Sequence, residues 1–368
     1  MTFFSPHSRR TALKKIALGA AALATPRWGR SRSSKDGKLG VALVGLGYYS
    51  TDLLAPALQM TEHCYLAGIV TGTPAKVPVW QRKYGIKDRN VYDYGNFDTI
   101  IRNNEIDIVY VVLPNSLHAE FVIRAALAGK HVWCEKPMAV NAEQCEAMIE
   151  ACRSSQVQLS IGYRMQHEPV TNVLMTLAGR PEYGAVKHIS TAAGYYGAYQ
   201  NDPENWKISR KMGGGAMYDM GVYCLQAARY TTGEEPVAVT AQHHTTRPTV
   251  FTEVDETTTF KLEFPSGAIA QCATSFGMNN NHLHATYERG WAKLDPFSSY
   301  NNVGGTASGS QSLSAWLGNQ QARQMDADAL AIKNQQPVRV PGEEGLRDIR
   351  IVEAVYQSAK TGERVTLG

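Results

Sequence analysis

Residues 39–56 read LGVALVGLGYYSTDLLAP: an apolar run, a glycine turn and then a helix-forming segment. In such a unit Gly45 permits the tight turn and Gly47 lets a pyrophosphate approach the backbone, where free N–H groups at the helix start favour an anion. Ser50 stands where a third glycine is usual and is small enough for close packing. A tight turn without a ligand is the simpler alternative, but the strand–turn–helix context favours a dinucleotide site.

Apolar strands alternate with helical patterns as far as residue 164. Near-continuous apolar strands separated by helices are typical of a parallel sheet covered on both faces, the doubly wound nucleotide-binding fold. After the first strand we predict strands at Cys64–Val70 and near residues 106–113, 131–137 and 158–164, with helices that include residues 117–128 and 142–152.

From about residue 184, polar and apolar residues alternate with period two, which predicts a large, mostly antiparallel open sheet with one free face. FPSGAIA, residues 264–270, has the turn residues of a hairpin. Residues 298–312 are rich in Gly, Ser and Asn and are predicted to form a mobile loop. Further helices are predicted at residues 216–230, 313–334 and 346–360. The predicted fold class is an N-terminal Rossmann domain, residues 38–162, followed by an α/β domain with the open sheet, residues 163–368.

The chain begins with a basic and then apolar segment, HSRRTALKKIALGAAALATP, at residues 7–26. Paired Arg9 and Arg10, a short apolar run and a small-residue end are the layout of a twin-arginine signal peptide. A frayed basic terminus is the alternative. We predict a leader at residues 1–24, a flexible arm at residues 25–37, and export to the periplasm by the twin-arginine machinery.

Composition excludes several classes of partner. The predicted leader holds four of the 37 basic residues and none of the 33 acidic ones, so the remainder is balanced and has no electrostatic footprint for nucleic acid or anionic lipid. No apolar run reaches the ~20 residues of a membrane span. The six cysteines include no C-x-x-C pair and stand in apolar runs, so we predict no zinc or redox motif and buried free thiols for most of them. His282 and His284 lack a carboxylate cluster, so we predict no metal site.

The end of the second strand, residues 71–76, predicts the type of cofactor. A carboxylate here would bind the ribose hydroxyls of NAD, but the segment TGTPAK has none. Thr71 and Thr73 can instead donate hydrogen bonds to a 2′-phosphate, and Lys76 supplies a cation. The sequence therefore predicts NADP.

Three side chains suggest acid–base chemistry. Lys136, in Glu135-Lys136-Pro137, follows a sheet strand at the end where open α/β folds bind ligands, and can stabilise a substrate hydroxyl that loses its proton. Asp219 and Tyr223 are four residues apart on one predicted helix and share a face. Tyr223 can accept the proton, and Asp219 can hold the substrate or relay the proton. A surface lysine and a core tyrosine are the alternatives.

The stretches LPNSLHAEF (113–121), GKHVWCEKPMA (129–139) and KMGGGAMYDMGVYCLQAARY (211–230), together with the glycine turn, resemble the Gfo/Idh/MocA oxidoreductase family over nearly the whole chain from residue 40. Family members often have His at the position of Tyr223, and the tyrosine favours the glucose–fructose oxidoreductase branch. The resemblance implies catalytic Lys136, Asp219 and Tyr223, and a substrate cleft that also includes Tyr163. It implies cofactor contacts from the glycine turn and five further segments: Gly45, Gly47, Tyr48, Tyr49, Thr71, Gly72, Lys76, Pro114, Asn115, His118, Glu135, Lys136, Arg164, Trp206 and Lys207.

The resemblance also implies a reaction. An aldose would be oxidised to its aldonolactone and a second sugar, a ketose or another aldose, reduced to the alditol, by ping-pong hydride transfer on tightly bound NADP. Such a captive cofactor would reconcile an export signal with a nucleotide pocket. The alternatives are an NADP-dependent sugar dehydrogenase with exchangeable cofactor, an exported NAD-dependent glycosidase of the same fold, and a non-catalytic sugar-binding protein. A broad sheet with one free face favours a homo-oligomer, a dimer or tetramer.

Overall fold

The structure, a computed structural model, describes residues 37–315 and 318–368. The predicted leader, residues 1–24, and the predicted arm, residues 25–37, except its last residue, lie outside the described residues. Two sheets organise the described chain, a six-stranded one and a nine-stranded one.

The first sheet is wholly parallel, with strand order β3-β2-β1-β4-β5-β6. Its first strand is buried along its whole length, which explains the unbroken apolar run at the start of the fold. The strand order reverses between β1 and β4, and this reversal creates the crevice in which doubly wound sheets bind ligands. The strands are β1 Leu39–Val44, β2 Cys64–Val70, β3 Val91–Tyr92, β4 Ile108–Val111, β5 His131–Cys134 and β6 Leu159–Ile161.

Helices connect these strands, as predicted. The first follows the glycine turn through a π-helical turn, Tyr49–Leu54. The helices are α1 Ala55–Leu58, α2 Val77–Tyr84, α3 His118–Leu127 and α4 Ala142–Ser154.

The second sheet is antiparallel except for one parallel pair, β7 with β10. Its order is β14-β13-β12-β11-β7-β10-β9-β8-β15. The predicted hairpin at residues 264–270 joins β9 to β10, and β9 alternates buried with half-buried residues as its sequence predicts. The strands are β7 Val186–Gly194, β8 Ala238–His244, β9 Thr257–Glu263, β10 Ile269–Ser275, β11 Asn280–Tyr287, β12 Trp291–Leu294, β13 Gly304–Ala307, β14 Gln311–Ser314 and β15 Val365–Thr366. The predicted fold class is confirmed.

Four helices complete the fold: α5 Pro169–Leu177, α6 Val222–Thr232, α7 Gln320–Lys333 and α8 Gly342–Thr361. Helices α5, α6 and α8 bury apolar side chains such as Leu177, Leu225 and Val355 in one core with the second sheet. Helix α7 returns to the first sheet, where Met325 joins the core of Leu43 and Tyr110. A segment near the C-terminus therefore supports the nucleotide-binding sheet.

The structure differs from the sequence prediction between residues 298 and 315. The predicted loop contains β13 and the start of β14, and the predicted helix at 313–334 begins only at Gln320. Small residues favour this pairing, since a Cβ at Gly305 would lie 1.8 Å from the backbone oxygen of Lys293. The Asn319 side chain accepts a hydrogen bond from the Ala322 N–H and so starts the helix.

All six cysteines are buried and free, whereas the sequence predicts this for most of them. Within residues 37–315 and 318–368, no helix combines the length and apolarity of a bilayer span, and no three His, Cys, Asp or Glu side chains converge as a metal site.

Candidate active site

The glycine turn has the shape that a dinucleotide needs. Gly45 has φ +93°, and a Cβ there would lie 2.3 Å from the Val112 carbonyl oxygen. At Gly47 no described atom lies within 4 Å of the Cβ position, so this side of the turn is open to a ligand. Ser50 is buried and its hydroxyl donates to the Gly45 carbonyl at 2.6 Å. The serine in the third glycine position therefore stabilises the turn on the side away from the ligand. The residues of the turn fit a pyrophosphate.

The end of β2 supplies a cation to the same crevice. Lys76 donates to the Leu46 carbonyl at 2.6 Å, which brings its ammonium to the glycine turn. Thr71 is buried and its hydroxyl oxygen accepts from the Thr73 N–H at 3.1 Å. A Cβ on Gly72 would lie 2.8 Å from the ring of Tyr94, so only glycine fits beneath that ring.

The two tyrosines of the turn point in different directions. Tyr48 is exposed, whereas Tyr49 is half-buried, with its ring centroid 6.1 Å from that of Tyr300. Burial, followed by the negative charge of Glu135, raises the pKa of Tyr49 well above its ordinary value. Tyr49 therefore links the glycine turn to the residues that follow β5.

The loop after β4 is braced rather than open. The ring nitrogens of buried His118 face backbone carbonyls of Pro137, at 3.0 Å, and Leu113, at 2.8 Å. Burial lowers the pKa of His118. Asn115 donates to the Gly213 carbonyl at 2.7 Å and so ties the loop, which Pro114 begins, to the segment that leads into Asp219.

Glu135 and Lys136 diverge at the end of β5. The buried Glu135 carboxyl accepts from the Tyr110 hydroxyl at 2.6 Å, and burial raises its pKa. Lys136 extends the other way and donates to the backbone oxygen of Asp219 at 2.7 Å and to its Oδ1 at 3.3 Å. The two adjacent residues thus contact different segments: Glu135 contacts Tyr110 on β4, and Lys136 contacts Asp219 before α6.

Asp219 is held between two ammonium groups. Its Oδ2 accepts from Lys207 at 2.8 Å and from the Tyr195 hydroxyl at 2.9 Å, while Lys136 approaches Oδ1. Burial raises the pKa of Asp219, but Lys207 and Lys136 outweigh burial and hold it below its ordinary value. Burial lowers the pKa of Lys136, but Tyr223 and Asp219 raise it above its ordinary value. The site therefore presents a carboxylate and an ammonium together.

Tyr223 lies in the first turn of α6 and is only 7% exposed. Lys136 Nζ is 4.9 Å from its ring centroid and the Arg164 guanidinium carbon 5.1 Å. Arg164 is buried and donates to Gln320 Oε1 at 2.5 Å and to the Ser299 carbonyl at 3.0 Å. Two cations from separate segments thus flank one phenol, and either can stabilise negative charge that develops on it.

A buried carboxyl supports the turn that carries Asp219. Residues Met217–Gly221 form a π-helical turn before α6, and Asp255 accepts from the Met217 N–H at 2.8 Å. Asp255 also accepts from the Tyr356 hydroxyl at 2.6 Å, which anchors the turn to α8.

The sequence reasoning missed four residues of this site: Tyr195, Tyr199, Asp255 and Tyr300. Tyr195 and Tyr199 stand in AAGYYGAYQ, where aromatic hydroxyls follow directly after a strand, and this was the available signal. Tyr300 was assigned to a mobile loop, yet its ring centroid lies 4.5 Å from the Arg164 guanidinium.

Two predicted residues lie elsewhere than the resemblance implies. Tyr163 is buried in the core of the first sheet, so it has no surface with which to line the cleft. Lys207, implied as a cofactor contact beside Trp206, has its ammonium on Asp219 and Tyr195. Trp206 lies beside it, with its ring centroid 6.0 Å from the Lys207 ammonium.

Three family models match successive parts of the chain. The model described as "Oxidoreductase family, NAD-binding Rossmann fold" matches residues 39–163. "GFO/IDH/MocA C-terminal domain" matches residues 176–293, and "Oxidoreductase family, C-terminal alpha/beta domain" matches residues 280–367.

Two curated relatives and two solved structures are similar along the chain. D-xylose 1-dehydrogenase (NADP(+)) 2 of Haloferax volcanii is 30% identical over 341 residues, 90% of this chain and 99% of the relative. D-xylose 1-dehydrogenase [NADP(+)] of Haloarcula marismortui is 25% identical and covers 92% and 96%. The aldose-aldose oxidoreductase from Caulobacter crescentus, complexed with glycerol, is 41% identical with a TM-score of 0.86 and covers 90% of this chain and 100% of its own.

A levoglucosan dehydrogenase, in complex with NADH and levoglucosan, shares the fold at a TM-score of 0.77 and 20% identity, covering 89% of this chain and 99% of its own. The matched models, the full-length relatives and the crevice at the strand-order reversal lead to one conclusion: this chain belongs to the Gfo/Idh/MocA oxidoreductase family.

Proposed function

We propose that the protein oxidises an aldose to its aldonolactone and reduces a second sugar to the alditol, with NADP that stays bound between the two steps. The observation that carries this proposal is Tyr223, a phenol flanked by Lys136 and Arg164 and next to a carboxylate that two ammonium groups hold. This arrangement suits removal of a proton from a hydroxyl and its return.

Each side chain has a distinct part in the proposed reaction. Asp219 accepts hydrogen bonds from sugar hydroxyls and orients the ring. Tyr223 takes the proton of the hydroxyl on the reacting carbon and gives it back in the second half of the cycle. Lys136 and Arg164 stabilise the charge that develops during the transfer. Bound NADP would supply the hydride acceptor for the first sugar and the hydride donor for the second.

The substrate class is supported by the relatives. A D-xylose 1-dehydrogenase and an aldose-aldose oxidoreductase both align with this chain over 90% of its length. An aldose donor is consistent with both names. A glucose-like donor, and a ketose or a second aldose as acceptor, follow from the resemblance to the glucose–fructose oxidoreductase branch.

The choice of NADP is supported by residues 71–76. This segment has no carboxylate, and Lys76 brings a cation to the glycine turn. Two curated relatives carry NADP in their names. Among the residues of the crevice we assign the turn, Thr71, Gly72 and Lys76 to the nucleotide.

Tight binding of the cofactor and export of the enzyme are linked in this proposal. The twin-arginine route carries folded proteins, so the signal-like residues 7–26 would let a loaded enzyme leave the cytoplasm. Outside, little free NADP exists, and the bound molecule must be recycled by a second substrate. We therefore propose a periplasmic enzyme with a captive cofactor and ping-pong kinetics.

The test uses protein purified from the periplasm with no nucleotide added. Released nucleotide is identified after denaturation, and the enzyme is mixed with glucose and fructose, or with two aldoses. We expect stoichiometric NADP and equal amounts of lactone-derived acid and alditol. Empty protein that yields no coupled products would refute the proposal.

The names of the curated relatives favour one second candidate, an NADP-dependent sugar dehydrogenase with exchangeable cofactor. In that case protein depleted of nucleotide turns over one aldose only when NADP is added, and no alditol forms.

A further inference from the structure

Lys207 reaches Asp219 from a separate segment of the chain. The short helical turn Trp206–Ile208 lies beyond the end of β7, and the Lys207 side chain is 29% exposed. Its ammonium contacts Asp219 Oδ2 at 2.8 Å and the Tyr195 hydroxyl at 2.9 Å. Tyr195 also donates to the same Oδ2, at 2.9 Å, so the three groups form a closed triangle.

The triangle occupies one side of the carboxylate only. Lys136 occupies the other side, with Nζ 3.3 Å from Oδ1 and 4.9 Å from the ring centroid of Tyr223. Because each ammonium has its own oxygen, Lys136 can bind Asp219 and remain next to the phenol at the same time. Without Lys207, Oδ2 would keep the neutral Tyr195 hydroxyl as a donor but would lose its cation, and the carboxylate would draw Lys136 away from Tyr223.

Several charged or titratable groups face Asp219 from the elements around it. Burial and the charge of Asp219 raise the pKa of Tyr195 well above its ordinary value, so Tyr195 stays a donor, and it lies 2.6 Å from the Tyr199 hydroxyl. Among the described residues, Lys136 and Lys207 are the cations that contact the Asp219 carboxylate. The titratable groups around it include Lys136 after β5, Tyr195 after β7, Tyr199 and Lys207 in the following segment, Tyr223 on α6 and Tyr300 after β12.

We propose that Lys207 is a positioning residue for the reaction proposed above, on which this inference rests: its ammonium holds Asp219 Oδ2, keeps Asp219 an acceptor for the sugar, and leaves Lys136 beside Tyr223. This assignment differs from a contact with the nucleotide, which the family resemblance implies for the same residue. If Lys207 positions Asp219, replacing it leaves cofactor binding unchanged, whereas if Lys207 contacts the nucleotide, replacing it weakens cofactor binding.

The test compares Lys207→Met and Lys207→Arg with the wild-type holoenzyme. In Lys207→Met, burial favours the neutral acid of Asp219 and one of its two cations is lost. In the plot of kcat against pH, we expect the fall in kcat on the acidic side, the acidic limb, to begin about one to three pH units higher than in the wild type. At pH values below that fall, kcat should be about tenfold lower than in the wild type for each unit of the shift. We expect Lys207→Arg to restore most of the profile, because arginine keeps the charge.

Bound nucleotide per protein provides the second readout. We expect it to be unchanged in Lys207→Met. The matched control is Lys187→Met on β7, which breaks a surface pair between Lys187 and Glu288 at 3.0 Å. This variant should keep the wild-type dependence of kcat on pH and the wild-type nucleotide content.

Two outcomes would overturn the inference. One is a lower nucleotide content in Lys207→Met with an unshifted acidic limb, which would assign Lys207 to the cofactor. The other is an unshifted limb with normal nucleotide content. Failure of the proposed function is distinct, because it appears already in the wild type as the absence of coupled sugar oxidation and reduction.

Discussion

At the scale of single residues, the structure separates the parts of Asp219 and Tyr223, which the sequence left open. Asp219 has an ammonium at each oxygen, and these cations hold its pKa below the ordinary value. A carboxylate so stabilised is a poor proton acceptor and a good partner for sugar hydroxyls. Tyr223 lies next to two cations and has the better geometry for proton transfer.

Tyr223→Phe removes the proposed proton acceptor and keeps the ring. We expect kcat to fall about 10²- to 10⁴-fold, because that is the usual contribution of a positioned acid–base group, while the content of bound nucleotide is unchanged. Steady-state kinetics with two sugars measures the effect. Tyr218→Phe, which loses only a hydrogen bond to the Val140 carbonyl, is the control, and comparable kcat values for the two variants would contradict the assignment.

Lys76→Ala tests the cofactor choice. We expect affinity for NADP to fall about ten- to a hundredfold, as for loss of one hydrogen bond to a charged group, and affinity for NAD to change little. Titration of nucleotide-depleted protein with each cofactor measures both. Arg82→Ala on helix α2 is the control for loss of one nearby positive charge. Equal losses for NADP and NAD in Lys76→Ala would count against a 2′-phosphate contact.

At the scale of elements, helix α7 has a buried acid where it packs on the first sheet. Asp328 accepts from the Ser160 hydroxyl at 2.7 Å, and its Oδ1 has no partner among the described residues. Burial raises the pKa of Asp328 to about 7. Since the folded protein then holds a proton that the unfolded chain has released, the free energy of unfolding falls as pH rises from about 4 to about 7.

Asp328→Asn should remove this dependence. Relative to the wild type, we expect the variant to gain up to about 4 kcal/mol in the free energy of unfolding as pH rises through that window. Urea unfolding at several pH values measures the difference, and Asp98→Asn at the surface controls for loss of one acidic group. A difference between variant and wild type that does not change with pH would show that Asp328 is ionised throughout.

At the scale of the whole molecule, the second sheet has helices on one face and an open face on the other. The open face carries polar side chains such as Lys261 and Gln271, together with Trp291, which is 41% exposed. No described element covers it. We predict that a second copy of the chain packs here to form a dimer or tetramer.

Size-exclusion chromatography with light scattering tests this prediction. The wild type should have the mass of a dimer or tetramer. The double variant Thr259→Glu, Gln271→Glu should be monomeric, because like charges from each copy would meet across the interface. Gln357→Glu on the outside of helix α8 is the control. An oligomer that persists in the double variant would place the contact elsewhere.

Much of the fold follows from local sequence. The strand Cys64–Val70 was predicted with its correct bounds, because a continuous run of apolar residues allows little else in a parallel sheet. Strands β13 and β14, residues 304–307 and 311–314, were not predicted, because they are built of small residues whose pairing depends on the neighbouring backbone. The site was predicted only where its residues stand together in a motif, as in Glu135-Lys136-Pro137.

The sequence by itself determined the glycine turn, the parallel sheet and the helix that carries Tyr223, because each depends on residues close together in the chain. Only the tertiary structure decided that Lys207 meets Asp219, that Arg164 lies against Tyr223, and that Tyr163 is buried. These contacts join segments far apart in the sequence, and packing of the two sheets and their helices brings them together. Side-chain periodicity gives the face of an element but not the residue that it meets there.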